Sequence, residues 1–410
     1  MSYIKRLLEE VLEKRAKNSK CLLVSGTRQV GKSTLVSKIY PNMSMISFDD
    51  VIQRNAAKDD PKLFVERLAN PAFLDEVQYV PEIFPYVKIR CDSTDSRGNF
   101  IFTGSQQMKI MKKSQESLAG RISILELQTL TLRELNNISF NKHFVPSSEY
   151  IEKREGCLKK YDNLWQIIHK GMYPELHSVE REWSDFYSSY VRTYIERDVA
   201  EEITLRNKDD FSRFLVCIAA RTGQILNKSN IANDLGVSLK TIDAWLRILE
   251  ETGLIYILEP YYSNHLKRVI KTPKIYFKDT GLACYLTRWN TPETLMNGAM
   301  SGALFETFVI NEIMKSFSNE GLEYKFNLFY YRGKDNDVRE NEIDLIIEED
   351  GVLYPIEIKK SASPSISMTK AFATLEKIED KKRGMGAILC LYDKKLYLKD
   401  DVVVLPIEYL

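Results

Sequence analysis

The chain has no apolar run long enough to cross a bilayer. Its first twenty residues carry Lys5, Arg6, Glu9, Glu10 and Lys14, and they lack the apolar centre of a signal peptide. There are only four histidines, none at metal-ligand spacing. The six cysteines (Cys21, Cys91, Cys157, Cys217, Cys284, Cys390) are scattered without a C-x-x-C pair. That pattern excludes a cysteine zinc site and a disulfide framework, and it suits reduced thiols in a cytoplasmic protein. Net charge is small as well, +1 over 410 residues, so any nucleic-acid surface must be a local patch. No repeat or low-complexity tract interrupts the sequence. What remains is an ordinary globular composition, 44% hydrophobic and 28% charged, long enough for roughly two to four domains.

Against that background one stretch stands out: Gly26-Thr27-Arg28-Gln29-Val30-Gly31-Lys32-Ser33-Thr34. It satisfies every fixed position of the phosphate-loop pattern G-x-x-x-x-G-K-[ST]. Cys21 to Val24 reads as a short buried strand before it, and Ser33 to Ile39 as a helix after it. The order has a physical reason. Glycines let successive N–H groups turn inward onto phosphate oxygens, and the helix start adds its positive dipole end. Lys32 is expected to reach the β- and γ-phosphates of ATP, and the Ser33 hydroxyl to ligate Mg²⁺.

Further polar strand ends follow. Ala72-Phe73-Leu74-Asp75-Glu76 is an apolar run ending in two acids. Asp75 is expected on Mg²⁺ and Glu76 on the attacking water. The run Asn99 to Ser105 places Ser105 or Gln106 where the γ-phosphate can be sensed, and Arg121 is a candidate arginine finger, in cis or from a neighbouring subunit. Strands alternating with helices to about Leu127 predict a parallel α/β sheet with nucleotide at its carboxyl edge. Aromatic and charged residues from Leu130 to Ile203 have helical spacing and predict a helical lid. Phe211 to Ile257 reads as a helix-turn-helix, with Ser229 and Ser238 as caps and Gly236 as the turn. Two strands, Leu254–Leu258 and Lys274–Phe277, then make a possible wing, with a basic patch between them at His265 to Lys271 that can contact DNA.

Near the C-terminus, Glu342 to Glu349 and Val352 to Lys359 flank Asp350-Gly351, a strong two-residue hairpin signal. That turn sets Asp344 opposite Glu357 and puts Lys359 on the same face. The other face carries Ile343, Leu345, Ile347, Tyr354, Ile356 and Ile358. Opposed carboxylates repel, and a bound Mg²⁺ would remove the cost.

Asp344 with Glu357-Ile358-Lys359 resembles the PD-(D/E)xK nuclease superfamily. Glu306, in Gly302 to Phe308, matches its preceding acid, so the resemblance implies a metal set of Glu306, Asp344 and Glu357 with Lys359 beside it. The whole chain is similar to bacterial and archaeal AAA-family ATPases that carry a winged-helix and nuclease-like C-terminal region. The marks run in order through Gly26 to Thr34, Phe73 to Gln78, Thr103 to Ser105, Ala119 to Arg121, Gly171 to Pro174, Tyr194 to Val199, Gly302 to Phe308 and Glu357 to Lys359. Ser105 stands where an Asn sensor is common in better-known AAA+ proteins. The resemblance implies an AAA+ type P-loop NTPase domain over residues 1–130, a helical lid over 131–208, a winged helix-turn-helix over 209–290 and an α/β nuclease-like domain over 291–410. Two functions remain open. One is an ATP-dependent enzyme acting on nucleic acid, DNA before RNA. The other is a nucleotide-driven switch whose C-terminal modules bind without cleaving. Arg121 hints at a homo-oligomer in either case.

Overall fold

A computed structural model describes residues 3–105, 118–195, 208–262, 272–333 and 342–410. Five short strands open the fold: β1 (Cys21–Ser25), β2 (Ser44–Ser47), β3 (Ala72–Asp75), β4 (Phe100–Gly104) and β5 (Ile122–Glu126). All pair in parallel, in the order β2-β3-β4-β1-β5. Side-chain alternation divides β1 between two cores. Leu22 and Val24 pack into the main core, while Cys21 and Leu23 pack into a second one with Phe84, Phe100 and Phe102. The chain leaves β1 for the β2 edge, returns through β3 to β4 beside β1, and then adds β5 on β1's other side. A crevice therefore opens at the carboxyl end of β1, where the order reverses. The first helix, Leu8–Asn18, buries Leu8, Leu12 and Ala16. A helix at Val51–Asp59, capped by Asp50, has no counterpart in the sequence reading.

The middle of the chain is helical through Val191–Ile195. A helix-turn-helix follows, made by Lys228–Leu235 and Leu239–Glu251, with Gly236 left-handed between them. Ser238 caps the second helix as expected, but Asn227 rather than Ser229 caps the first. A small antiparallel sheet completes this module, with β6 (Gln224–Ile225), β7 (Ile255–Leu258) and β8 (Lys274–Phe277) in the order β6-β8-β7. The basic stretch 265–271 lies outside the described residues, as do Gln106 and residues 196–199.

The C-terminal part is built on the helix Ser301–Asn319 and a seven-stranded mixed sheet. Its strands are β9 (Leu328–Arg332), β10 (Glu342–Glu349), β11 (Val352–Lys359), β12 (Lys382–Arg383), β13 (Gly386–Cys390), β14 (Leu396–Lys399) and β15 (Val402–Pro406). From Thr307 to Asn319 every residue of the helix is buried. Its charged pair is satisfied internally: Glu312 and Lys315 form an ion pair, Glu312 accepts from Leu132 N at 2.9 Å, and Lys315 donates to Leu130 O at 2.6 Å. One apolar core runs from Leu8 to Leu410, so the N- and C-terminal parts share an interior. Among the described residues no helix is long and apolar enough to cross a membrane.

Candidate functional site

The phosphate loop leaves β1 through Gly26, whose φ is 146°. A Cβ there would lie 2.2 Å from the Leu127 carbonyl oxygen, so only glycine fits. Gly31, also left-handed, starts the helix Lys32–Ile39, and the space a Cβ would take there is open. Buried Lys32 folds back over the loop and donates to Gly26 O at 3.0 Å and Thr27 O at 2.9 Å. Its ammonium thus already sits on the concave side of the loop, where a phosphate would take over those contacts. The Ser33 hydroxyl donates to Asp75 Oδ1 at 2.7 Å. Thr103 donates to the same oxygen, and Ser47 to Oδ2 at 3.4 Å. A serine hydroxyl against a buried, hydroxyl-braced carboxylate is an all-oxygen pair that fits Mg²⁺.

Glu76 follows at φ 56°, a left-handed position that side chains rarely adopt and that active sites concentrate. Its carboxylate accepts from Gln78 Nε2 and from Ser105 Oγ, the latter at 3.4 Å. Ser105 therefore braces Glu76 at the mouth of the crevice. Gln78 closes the Phe73 to Gln78 mark of the family resemblance, but no role of its own is expected for it from sequence.

The loop runs between two cavities. On one side a pocket of about 290 Å³ is walled by Tyr3, Ile4, Val30 and Pro174, with Gln29, Gly31 and Thr34 at its edge. Apolar walls beside a phosphate loop suit the base and ribose of a nucleotide. Arg6 fixes this side: it pairs with Glu134 at 3.0 Å and donates to Val30 O at 2.9 Å and Gln128 O at 2.7 Å. Pro174 is held by the turn before it. Met172 N donates to Asp279 Oδ2 at 2.7 Å, Tyr187 OH donates to Asp279 Oδ1 at 2.6 Å, and Leu130 N donates to Met172 O at 2.8 Å. The pocket joins residues some 170 positions apart, which no local pattern announces.

On the other side a cavity of about 430 Å³ separates Gly26, Thr27, Ser105 and Glu126 from the end of the second helix of the helix-turn-helix. Gly253 reaches the loop itself: a Cβ on it would lie 2.8 Å from Thr27 Cγ2. The Thr27 hydroxyl is hydrogen-bonded to Tyr173, so both faces of this side chain are engaged. Burial pushes the Glu126 carboxyl up, but Lys278, 2.9 Å away, outweighs it and holds the group below its ordinary range.

Arg121 does not join this constellation within the chain. It immediately precedes β5, and its carbonyl accepts from Cys21 N at the start of β1, so it lies at the opposite end of the sheet. There its guanidinium forks onto Asp92 at 2.6 and 2.9 Å. Arg28 points toward Tyr79, 3.5 Å away.

At the C-terminal sheet the hairpin register runs from Leu345↔Ile356 to Glu349↔Val352, closed by Asp350 and Gly351 at φ 50° and 77°. Extending it sets Asp344 opposite Glu357. Both are buried, and Lys359 bridges them at 3.1 and 2.5 Å. Ile358 N donates to Asp344 Oδ2 at 2.8 Å. Glu357 Oε2 is buried and has no hydrogen-bond partner. Burial and the Asp344 charge push the Glu357 carboxyl up to about 8. Glu306 is drawn elsewhere: it accepts from Tyr276 OH at 2.6 Å and pairs with buried Lys274 at 3.2 Å, while Lys274 also holds Glu342 at 2.6 Å. Among the described residues no three carboxylate, histidine or cysteine side chains gather as a metal ion would require. In this geometry lysines take the place expected for a cation, and Glu306, Asp344 and Glu357 do not form one ligand set. The face is covered in part, because Ile346 and Leu353 share it and pack with Phe372 and Leu375 of the 3₁₀ segment Ile366–Lys377. A register shift against β9 lies between Ile343 and Ile346, and Ile343 joins the same cluster as Ile346 and Phe372.

Comparison with known proteins agrees with this geometry at the N-terminal part. Residues 18–136 match the family of AAA domains. Residues 161–293 and 301–410 match two domains of unknown function, DUF8612 and DUF4143. Uncharacterised proteins of Mycobacterium bovis and Mycobacterium tuberculosis are each 27% identical over 392 residues, 94% of this chain and 80% of theirs. An uncharacterised protein of Methanocaldococcus jannaschii is 26% identical over 343 residues, 74% of this chain and 70% of its own. Among solved structures, a Walker-type ATPase of Pyrococcus abyssi aligns with 69% of this chain and 96% of its own, at 16% identity and TM-score 0.39. A RuvB variant of Thermotoga maritima aligns with 60% and 86%, at 15% identity and TM-score 0.29. The chain carries an AAA-type ATPase domain.

Proposed function

We propose that the chain binds and hydrolyses ATP at the Gly26–Thr34 loop and uses the cycle to control its C-terminal modules. The observation carrying this reading is the 2.7 Å contact between Ser33 and Asp75, with Glu76 next in sequence and Lys32 lying over the loop. Backbone N–H groups of the loop bind the phosphates, and Lys32 moves from the Gly26 and Thr27 carbonyls onto the β- and γ-oxygens. Ser33 and Asp75 would hold Mg²⁺, which neutralises charge on those oxygens when bound. Glu76, oriented by Gln78 and Ser105, positions water in line with the terminal phosphorus and accepts its proton. Lys32→Ala should abolish measurable nucleotide binding. Glu76→Gln should bind ATP normally and turn it over about 100-fold or more slowly. Full turnover by Glu76→Gln would place the base elsewhere.

A second activity, Mg²⁺-dependent cleavage of DNA at Asp344, Glu357 and Lys359, is favoured by one observation, the unpartnered buried oxygen of Glu357. Two carboxylates facing each other can take a divalent ion if Lys359 swings aside toward a phosphate. The lysine bridges favour the other reading, a nucleotide-driven switch that binds DNA or protein without cutting it. DNA incubated with Mg²⁺, with and without ATP, beside Asp344→Ala separates the two. Cleavage lost in the variant supports the enzyme; equal cleavage by both proteins, or none by either, leaves the switch.

A further inference from the structure

We propose that Arg247, on the second helix of the helix-turn-helix, is the cation that meets the terminal phosphate of ATP bound in the same chain. Hydrolysis would then require this module to be docked on the phosphate loop. The inference rests on the ATPase reading above and adds to it a catalytic residue and the surface that delivers it.

The placement comes first. The 430 Å³ cavity opens on Gly26, Thr27 and Ser105, and Ser105 is the residue that braces Glu76. This is the hydrolytic side of the loop; the apolar pocket of Tyr3 and Pro174 lies on the other. Arg247 lines the cavity with Glu250 and Glu251, at spacings of three and four that share one helix face. Two residues beyond the end of the helix, Gly253 abuts Thr27 too closely to leave room for a methyl group.

The charges then single out one residue. Three cations line the cavity. Lys278 is occupied by Glu126 and by the Tyr324 hydroxyl, each at 2.9 Å. Lys325 pairs with Glu250 at 3.1 Å. Arg247 is exposed, and among the described residues it has no ion pair and no hydrogen bond. The cavity also holds Glu251 and Glu323, so its carboxylates outnumber its cations by one even with Arg247 counted. A terminal phosphate entering here needs a mobile cation that no carboxylate already holds. A guanidinium supplies it, with several N–H donors in a planar fork matched to phosphoryl oxygens. In the transfer, water oxygen bonds to the terminal phosphorus, the bond to the bridging oxygen breaks, ADP leaves with the electron pair, and Glu76 holds the proton. Arg247 stabilises the charge on the oxygens through that step and exchanges no proton.

The test uses the full chain. Arg247→Ala should lower kcat by about 100-fold or more, the scale of an arginine finger. KM for ATP and Kd for Mg·ADP should stay within about threefold of wild type. Arg247→Lys should recover part of the lost rate, and Arg247→Ala should fail to trap Mg·ADP with aluminium fluoride. Arg213→Ala, an exposed change in the same module outside the cavity, should leave turnover unchanged. A kcat for Arg247→Ala within threefold of wild type overturns the proposal while leaving the ATPase reading intact. Turnover restored by mixing Arg247→Ala with Lys32→Ala would mean delivery from a second copy and overturns the assignment to one chain. Wild-type protein that binds no Mg·ATP removes both.

Discussion

Gly253 and Gly236 both have left-handed backbones, at φ 73° and 71°, but their surroundings differ. A Cβ on Gly236 meets nothing within 4 Å, whereas one on Gly253 comes within 2.8 Å of Thr27 Cγ2. Gly236→Ala should therefore cost only the left-handed strain of an L-residue, about 1 kcal/mol. Gly253→Ala carries the same strain and a carbon contact roughly 1 Å shorter than the 3.5–4.0 Å optimum. Thr27 cannot yield freely: its β-branched side chain is stiff and its hydroxyl is bound to Tyr173. Overpacking of this kind costs about 1–3 kcal/mol. Thr27 is the second residue of the phosphate loop, so the penalty should fall on ATP binding. Titration calorimetry with Mg·ATP should show Kd raised roughly 5- to 30-fold in Gly253→Ala, from about 1–2 kcal/mol, and unchanged in Gly236→Ala. Thr27→Ser removes Cγ2 and keeps the hydroxyl, so it should relieve the defect, giving a coupling of about 1 kcal/mol or more in the double-mutant cycle. Equal effects of the two alanines, or strict additivity with Thr27→Ser, would refute the claim that the helix-turn-helix rests on the loop.

Two other perturbations address the rest of the molecule. His143 lies between Glu320 and Glu349, 2.7 Å from each, and although burial works against its charge these carboxylates raise its pKa to about 9. A raised histidine contributes stability fully below its ordinary 6.5 and loses it as pH climbs through 9; His143→Gln should thus cost about 2–3 kcal/mol in urea denaturation at pH 6 and almost nothing at pH 9.5, and a pH-independent cost would refute the assignment. Any catalytic share of Arg121 must act in trans, since it lies at the far end of the sheet: Arg121→Ala should lose ATPase activity and regain a fraction when mixed with Lys32→Ala, whereas unchanged turnover would leave Arg121 as the structural partner of Asp92.

How much of this was legible depended on whether the physics is local. The phosphate loop was readable because its constraints sit within nine consecutive residues, each required by one conformation or one contact. The hairpin register was readable because two left-handed residues at Asp350 and Gly351 fix every pair that follows. The position of Arg121 was readable in principle: in a parallel sheet a residue just before a strand lies opposite the residues just after one. The facing carboxylates misled through what covers them. The sequence pattern cannot show that the segment Ile366–Lys377 caps that face, or that Lys274, arriving from a different sheet, claims Glu306. The Tyr3 and Pro174 pocket likewise exists only after folding.

The stretch Lys274–Asp279 brings these separate sites into one argument. Lys274 and Tyr276 hold Glu306, Lys274 also holds Glu342 two residues before Asp344, Lys278 holds Glu126 at the hydrolytic cavity, and Asp279 holds Met172 N beside the apolar pocket. Lys274, Tyr276 and Lys278 alternate along an extended chain, as one strand face requires. At about 3.3 Å per residue the five steps span roughly 16 Å of backbone paired to β7 over its strand portion. The element is tied near both ends by ion pairs of its own lysines, Lys274 with Glu306 and Lys278 with Glu126. Under the proposed ATPase cycle, a displacement of the Met172 turn or of Lys278 would be passed along this strand to Lys274, which holds Glu306 at the C-terminal sheet. If the C-terminal modules answer to the nucleotide as proposed, the shortest covalent route between the two sites is this one strand and its buried Lys274.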